Sequence, residues 1–247
     1  MTLRWVPGWN GLTEPEAVSY VAAVEAADGQ DLEFGVARAI NDFVVGCKSD
    51  GIWDAIKACC ILAGARTLSG ALVPLVGTAP TNYNFVSGDY DRETGLKGDG
   101  STKYLNSNRA GNADPTSDFH LSTYQTEVFT TGIGIIGEDT ASRSVIYTLG
   151  VSARTVGLQA LTTAVTGFLG VSRPLSTEYT ARLSGSNNVF SDSASAPSAT
   201  NTTVFRRASG GNVDSRLSFY SIGESLDLAK LDTRVSNLMT AIGAAIP

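Results

Sequence analysis

The sequence predicts a mainly β protein: an antiparallel jelly-roll β-sandwich with an N-terminal helical segment and a C-terminal amphipathic helix. Three observations predict it. From about residue 101 the chain becomes short β-like runs separated by Gly, Ser, Asn or Pro, often about a dozen residues apart, as in a sandwich or jelly roll. Near the end, residues 216–223 read as a strand that hands over to a helix. In that helix Leu228, Leu231, Val235, Leu238 and Ile242 stand 3, 4, 3 and 4 apart, one stripe on a 3.6-residue period. The first sixty-odd residues, by contrast, carry helical stripes only.

The elements follow in order. Thr13-Glu14-Pro15-Glu16 matches a capping box with proline in the first turn, and Val18, Tyr20, Val21 and Val24 give the first helix an apolar side. After Asp28-Gly29, the residues Leu32, Val36, Ile40, Phe43 and Cys47 make a second helix. After Asp50-Gly51, the residues Ile52, Trp53, Ile56, Cys59, Cys60 and Ala63 make a third. Residues 65–100 are punctuated by Pro and Gly and read as mostly irregular. Strands are expected near 119–126, 144–151, 156–162, 164–170, 178–184, 187–191, 202–207 and 216–223, with 191–203 a long exposed loop and Gly243 a helix stop. Residues 1–66 are assigned to a helical docking segment and 67–247 to the sandwich with its C-terminal helix.

Composition narrows the function. Of 247 residues, 43% are hydrophobic and only 17% charged, with Gly, Ser, Thr and Asn abundant, which suits a turn-rich β protein. A formal charge of −6 with no basic run argues against nucleic acid or an anionic membrane as partner. No apolar run reaches the roughly 18 residues of a transmembrane helix. Residues 1–8 lack the basic start and apolar core of a signal peptide, so synthesis in a cytoplasm is expected. Cys47, Cys59 and Cys60 form no disulfide framework and read as small buried residues.

Catalytic motifs fail on their context. Gly132-Ile133-Gly134-Ile135-Ile136-Gly137 has the spacing of a dinucleotide loop, but no helix follows it, so a Gly-rich strand is expected. Gly95 to Lys103 lacks the G-K-[ST] order of a phosphate loop. Asp89, Asp91 and Glu93 alternate acids, and calcium near Asp89 and Asp91 stays open, although the spacing is not that of an EF-hand. His120 is the only histidine, with no nucleophile elbow to serve it, and reads as a half-exposed strand residue. The acids of the β region, Asp139 among them, sit singly or in turns rather than as a facing pair. No catalytic, metal or cofactor-binding residue is assigned, and no enzymatic activity or cofactor is expected. Aromatics near loops (Tyr90, Tyr104, Tyr124, Tyr147 and Tyr179) are candidates for stacking on sugar rings. Tyr90, Arg173, Tyr179 and Arg182 are selected as glycan contacts.

Three stretches together resemble virion structural proteins of tailed bacteriophages. They are Gly51-Ile52-Trp53-Asp54-Ala55-Ile56-Lys57-Ala58-Cys59-Cys60 on to Ala65; Asn84-Phe85-Val86-Ser87-Gly88-Asp89-Tyr90 with Thr94 to Leu105; and Phe219-Tyr220-Ser221-Ile222-Gly223-Glu224-Ser225-Leu226 with its helix. The run Phe168-Leu169-Gly170-Val171-Ser172-Arg173, followed by Tyr179 and Arg182, fits the same pattern. In that group the β part resembles concanavalin A-like (laminin-G-like) jelly rolls. The resemblance spans about residues 30–245. It implies a virion component made in the host cytoplasm and displayed as a capsid decoration or spike, or as a tail or baseplate appendage. Its implied partners are capsid or tail subunits and further copies of itself, a trimer being the expected homo-oligomer. A lectin-like module recognising host surface polysaccharide is the alternative, and a glycan hydrolase a third reading.

Overall fold

The structure, a computed structural model, describes residues 11–138 and 142–247; the readings made on residues 1–8 and on Asp139 fall outside them. The expected class is present: two antiparallel sheets stacked as a sandwich, with helices at both ends of the chain. Three layers result: helices, a central sheet, and an outer sheet.

The helical layer is α1 (Pro15–Asp28), α2 (Phe34–Ser49) and α4 (Leu228–Ala245), with the one-turn α3 (Leu68–Ala71) beside it. Tyr20, Val21 and Val24 of α1, Val36, Ile40, Phe43 and Cys47 of α2, and the whole α4 stripe are buried in one apolar cluster that also takes Phe168 and Phe219 from the central sheet. The stripe of α4 is at most 3% exposed, as its spacing requires. Asp227 caps this helix by accepting from the amides of Ala229 and Lys230. Gly243 does not stop it, since the helix runs on to Ala245. The capping box expected at Thr13 does not form. The buried Asn41 of α2 supplies the acceptor instead, its Oδ1 taking the amides of Thr13 and Glu14 at 2.7 and 3.0 Å.

The third expected helix is a strand. Ile56–Ile61 forms β1, antiparallel to the last strand β15 (Arg216–Gly223), after a short turn at Trp53–Ala55. Both faces of β1 are covered. Cys59 and Ile61 point into the helical cluster, while Ala58, Cys60 and Leu62 point into the sandwich. A strand buried on both sides loses its alternation, and its apolar run then mimics a helical stripe.

The central sheet runs β13 (Ser186–Ser191), β12 (Glu178–Leu183), β11 (Gly167–Arg173), β6 (Phe119–Glu127), β15, β4 (Gly95–Lys97) and β3 (Tyr90–Asp91), with β1 beside the far end of β15. The outer sheet runs β10 (Gln159–Ala160), β9 (Gly150–Thr155), β8 (Arg143–Tyr147), β7 (Gly134–Glu138), β14 (Asn201–Val204), β5 (Tyr104–Ala110) and β2 (Thr81–Tyr83). The Gly-rich run at 132–137 is therefore the expected strand. The single strand expected at 144–151 is the β8–β9 hairpin, turned at Thr148 and Leu149. The run at 156–162 contributes only the two residues of β10.

A bulge in β15 matters for packing. Register shifts between Leu217 and Phe219, so Leu217, Tyr220 and Ile222 all face the sandwich core while Phe219 faces the helices. Gly170 in β11 leaves room for α4: a Cβ there would lie 2.9 Å from Leu228 Cδ2. Ion pairs lace the layers together, Arg182 of β12 to Asp232 of α4 at 2.8 Å and Arg234 of α4 to Asp50 at 2.7 Å.

Candidate functional site

The layer order decides where a site has room. One face of the central sheet is under helices and the other under the outer sheet, which leaves the outer sheet's far face toward solvent. Much of that face is closed at β8 and β9, whose residues are nearly all buried. The stretch 191–203, expected as an exposed loop, is a loop over 192–200 with no buried residue, though one tied down by hydrogen bonds, and its last three residues begin β14. Ala194 and Ser195 donate to the carbonyls of Ser176 and Arg154, and the Ser198 hydroxyl donates to Glu138. The open part lies over β2, β5 and β14.

Strand β5 alternates as a half-buried strand should: Leu105 and Ser107 point inward, Tyr104 and Asn106 outward. In register, Tyr104 stands opposite Tyr83, and Asn106 lies between Thr81 and Thr203. The two tyrosine rings stack with centroids 4.3 Å apart and planes 5° from parallel. The Arg206 guanidinium lies 4.2 Å from the Tyr104 ring centre. Tyr83, on the edge strand, stays 38% exposed. Beside this row opens a shallow, largely polar pocket of about 410 Å³ lined by Tyr104, Asn106, Thr200, Asn201, Thr203 and Arg206. Flat rings with planar amides, hydroxyls and one guanidinium are the groups that hold polar, ring-shaped ligands such as sugars.

The four residues selected from sequence do not assemble as a set; Arg173 and Tyr179 meet, the guanidinium 5.1 Å from the ring centre, but in the interior. Tyr90 is in β3, at one edge of the central sheet, while Tyr179 and Arg182 are in β12 near the other. Tyr90 donates its hydroxyl to the Ala65 carbonyl. Arg173 and Tyr179 have no exposed surface. The Arg173 guanidinium is spent on the carbonyls of Ala153, Leu175, Glu178 and Asp192, and the Tyr179 hydroxyl reaches Val151 O. Arg182 holds α4 through Asp232 and also bonds Asn187. These two arginines and Tyr179 thus fasten the fold.

His120 is fully buried rather than half-exposed. Its Nδ1 lies 2.6 Å from the Glu224 carbonyl and its Nε2 2.9 Å from the Ser221 hydroxyl, which in turn meets Ser122 at 2.8 Å. Burial pushes its pKa down to about 4. Asp89 pairs with Lys103, and Asp91 accepts from the Glu93 and Thr94 amides and the Thr94 hydroxyl in a tight turn. Among the described residues no group of three or more His, Cys, Asp or Glu could hold a metal ion.

No family model matches the chain, and no curated protein matches it. Among solved structures it is similar to domain 4 of AbnA, a GH43 extracellular arabinanase from Geobacillus stearothermophilus in complex with arabinotriose. The identity there is 10% and the TM-score 0.41, over 64% of this chain and 82% of that one. It is also similar to a mutant of Trypanosoma rangeli sialidase displaying trans-sialidase activity, at 11% identity and TM-score 0.43. That match covers 84% of this chain but only 40% of the sialidase. Both neighbours come from carbohydrate-active proteins. The expectation of a protein without enzymatic activity does not stand beside such neighbours and is dropped, and likenesses this distant assign no activity in its place.

Arg206 and Tyr83 were not picked out from sequence, and Tyr104 was only one of five loop aromatics. The alternation Tyr104-Leu105-Asn106-Ser107 is the signal that marks an outward polar row. Which strands flank it depends on long-range pairing.

Proposed function

We propose that this protein is a saccharide-contacting β-sandwich displayed on the particle of a tailed phage. The observation that carries the contact is the Tyr83–Tyr104–Arg206 row beside an open polar pocket on the solvent side of the outer sheet. The resemblance of residues 51–65, 84–105 and 219–226 to tailed-phage virion proteins supports the particle assignment. On this reading the helical layer lies on the opposite side of the sandwich, where it would dock on capsid or tail subunits. Its outward surface carries the exposed Phe34, Val18 and Val45. A homotrimer made in the host cytoplasm is part of the same proposal.

A glycan array of host surface polysaccharides tests the contact. The wild-type protein is expected to bind at least one of them, and Tyr104→Ala, which removes the ring that orders Arg206 and Tyr83, to weaken that binding by about tenfold. Silence of the wild type across the array rejects the contact. Mass spectrometry of purified particles tests the other half, and absence of its peptides from virions rejects it.

A further inference from the structure

The pocket carries a sign as well as a shape. Among the described residues whose side chains line it, Arg206 alone is ionised and none is a carboxylate. The chain as a whole has a formal charge of −6, and most of its surface arginines are neutralised. Arg66 and Arg92 pair with Glu33, Arg109 with Asp114, Arg182 with Asp232, Arg216 with Glu127, and Arg234 with Asp50. Among the described residues Arg206 bonds only backbone carbonyls, Nε to Arg207 O at 3.1 Å and Nη2 to Ala208 O at 3.4 Å. Its Nη1 has no acceptor among the described residues. The guanidinium is nonetheless held in place, by those carbonyls and by the Tyr104 ring.

We infer that the pocket takes an acidic saccharide, whose carboxylate bonds Arg206 while its hydroxyls meet the amides and hydroxyls of Asn106, Asn201 and Thr203. The inference rests on the saccharide reading above and names the ligand's class. A guanidinium presents a planar, permanently charged donor fork that matches a carboxylate. Charge-assisted hydrogen bonds of this kind are roughly twice as strong as neutral ones. Because stacking already orders the Arg206 side chain, little conformational freedom is left to lose on binding. A neutral sugar would leave that charge facing only water.

The test uses oligosaccharides of polygalacturonate, alginate and hyaluronan, each beside its carboxyl-reduced neutral form, titrated calorimetrically into the full chain. At low salt at least one acid is expected to bind about tenfold tighter than its neutral form, with the preference shrinking as salt is raised. Arg206→Gln should erase the preference, while Arg206→Lys should keep part of it. Matching thermal unfolding of both variants and wild type shows that folding is intact. Equal binding of acid and neutral forms, or a preference that persists in Arg206→Gln, overturns the acidic assignment and leaves the saccharide reading standing. Binding confined to neutral glycans does the same. Silence on every acidic and neutral glycan overturns both.

Discussion

Phe219→Ala is expected to destabilise the protein by about 3–5 kcal/mol, the range for emptying a large buried aromatic site. Phe219 has no exposed surface and meets Phe43 of α2 edge-on, with ring centres 5.8 Å apart. It is one of two phenylalanines that the central sheet sends into the helical cluster. Helices α2 and α4 are tethered to each other by the Arg234–Asp50 pair, so they do not collapse independently into the space left behind. A domain stable by about 5–15 kcal/mol loses a large share of that margin. Urea unfolding should show a lower midpoint with an unchanged slope. A loss below about 1 kcal/mol would mean that the helical layer is not packed on the sheet as described.

The second large effect is a pH dependence centred on His120. Its folded pKa is about 4, below the ordinary 6.5, because burial penalises the charged ring. The unfolded chain therefore takes up the proton first. Stability from this group is complete above about pH 6.5, falls as pH drops toward 4, and levels off below that. The shift corresponds to roughly 3 kcal/mol. The groups acting on the ring are the Glu224 carbonyl, Asp114 and Asp118, which favour its charge, and Arg109, which opposes it. The ring has a structural task at the junction of β15 and α4. It bonds Glu224, Asp118 bonds Ser225, and Ser172 bonds Leu226, so three side chains fasten this connection. Denaturant midpoints between pH 7 and 4 should fall in the wild type and stay nearly flat in His120→Gln. A wild type as stable at pH 4.5 as at pH 7 would contradict the buried, neutral ring. Carboxylates such as Asp50, held below the usual range by hydrogen bonds from Arg234, add their own loss only at lower pH.

The layers were legible in the sequence wherever one face of an element meets water. The stripe of α4 has a single reading, as do the Leu32 to Cys47 stripe and the alternation in β12. Where both faces are covered, the pattern gives no period. The stretch Lys57-Ala58-Cys59-Cys60-Ile61 of β1 then reads as helix, and the tight β8–β9 hairpin reads as one strand. The site suffered for a different reason. Arginines and tyrosines look alike in sequence whether they clamp the fold or meet a ligand. Arg173 and Tyr179 turn out to satisfy buried carbonyls, whereas Tyr83, Tyr104 and Arg206 meet only through the pairing of β2 with β5 and β5 with β14. Such pairings join residues about twenty to a hundred positions apart and leave no local trace.

The central claim is that ligand contact occurs on the outer sheet over β2, β5 and β14. Amide chemical-shift mapping, with the tightest oligosaccharide from the array titrated into the labelled protein, tests it most directly. The perturbed amides should cluster at residues 81–84, 104–106 and 200–208. Perturbations gathered instead around Tyr179 and Arg182 or along the helical layer, with that face silent, would contradict it.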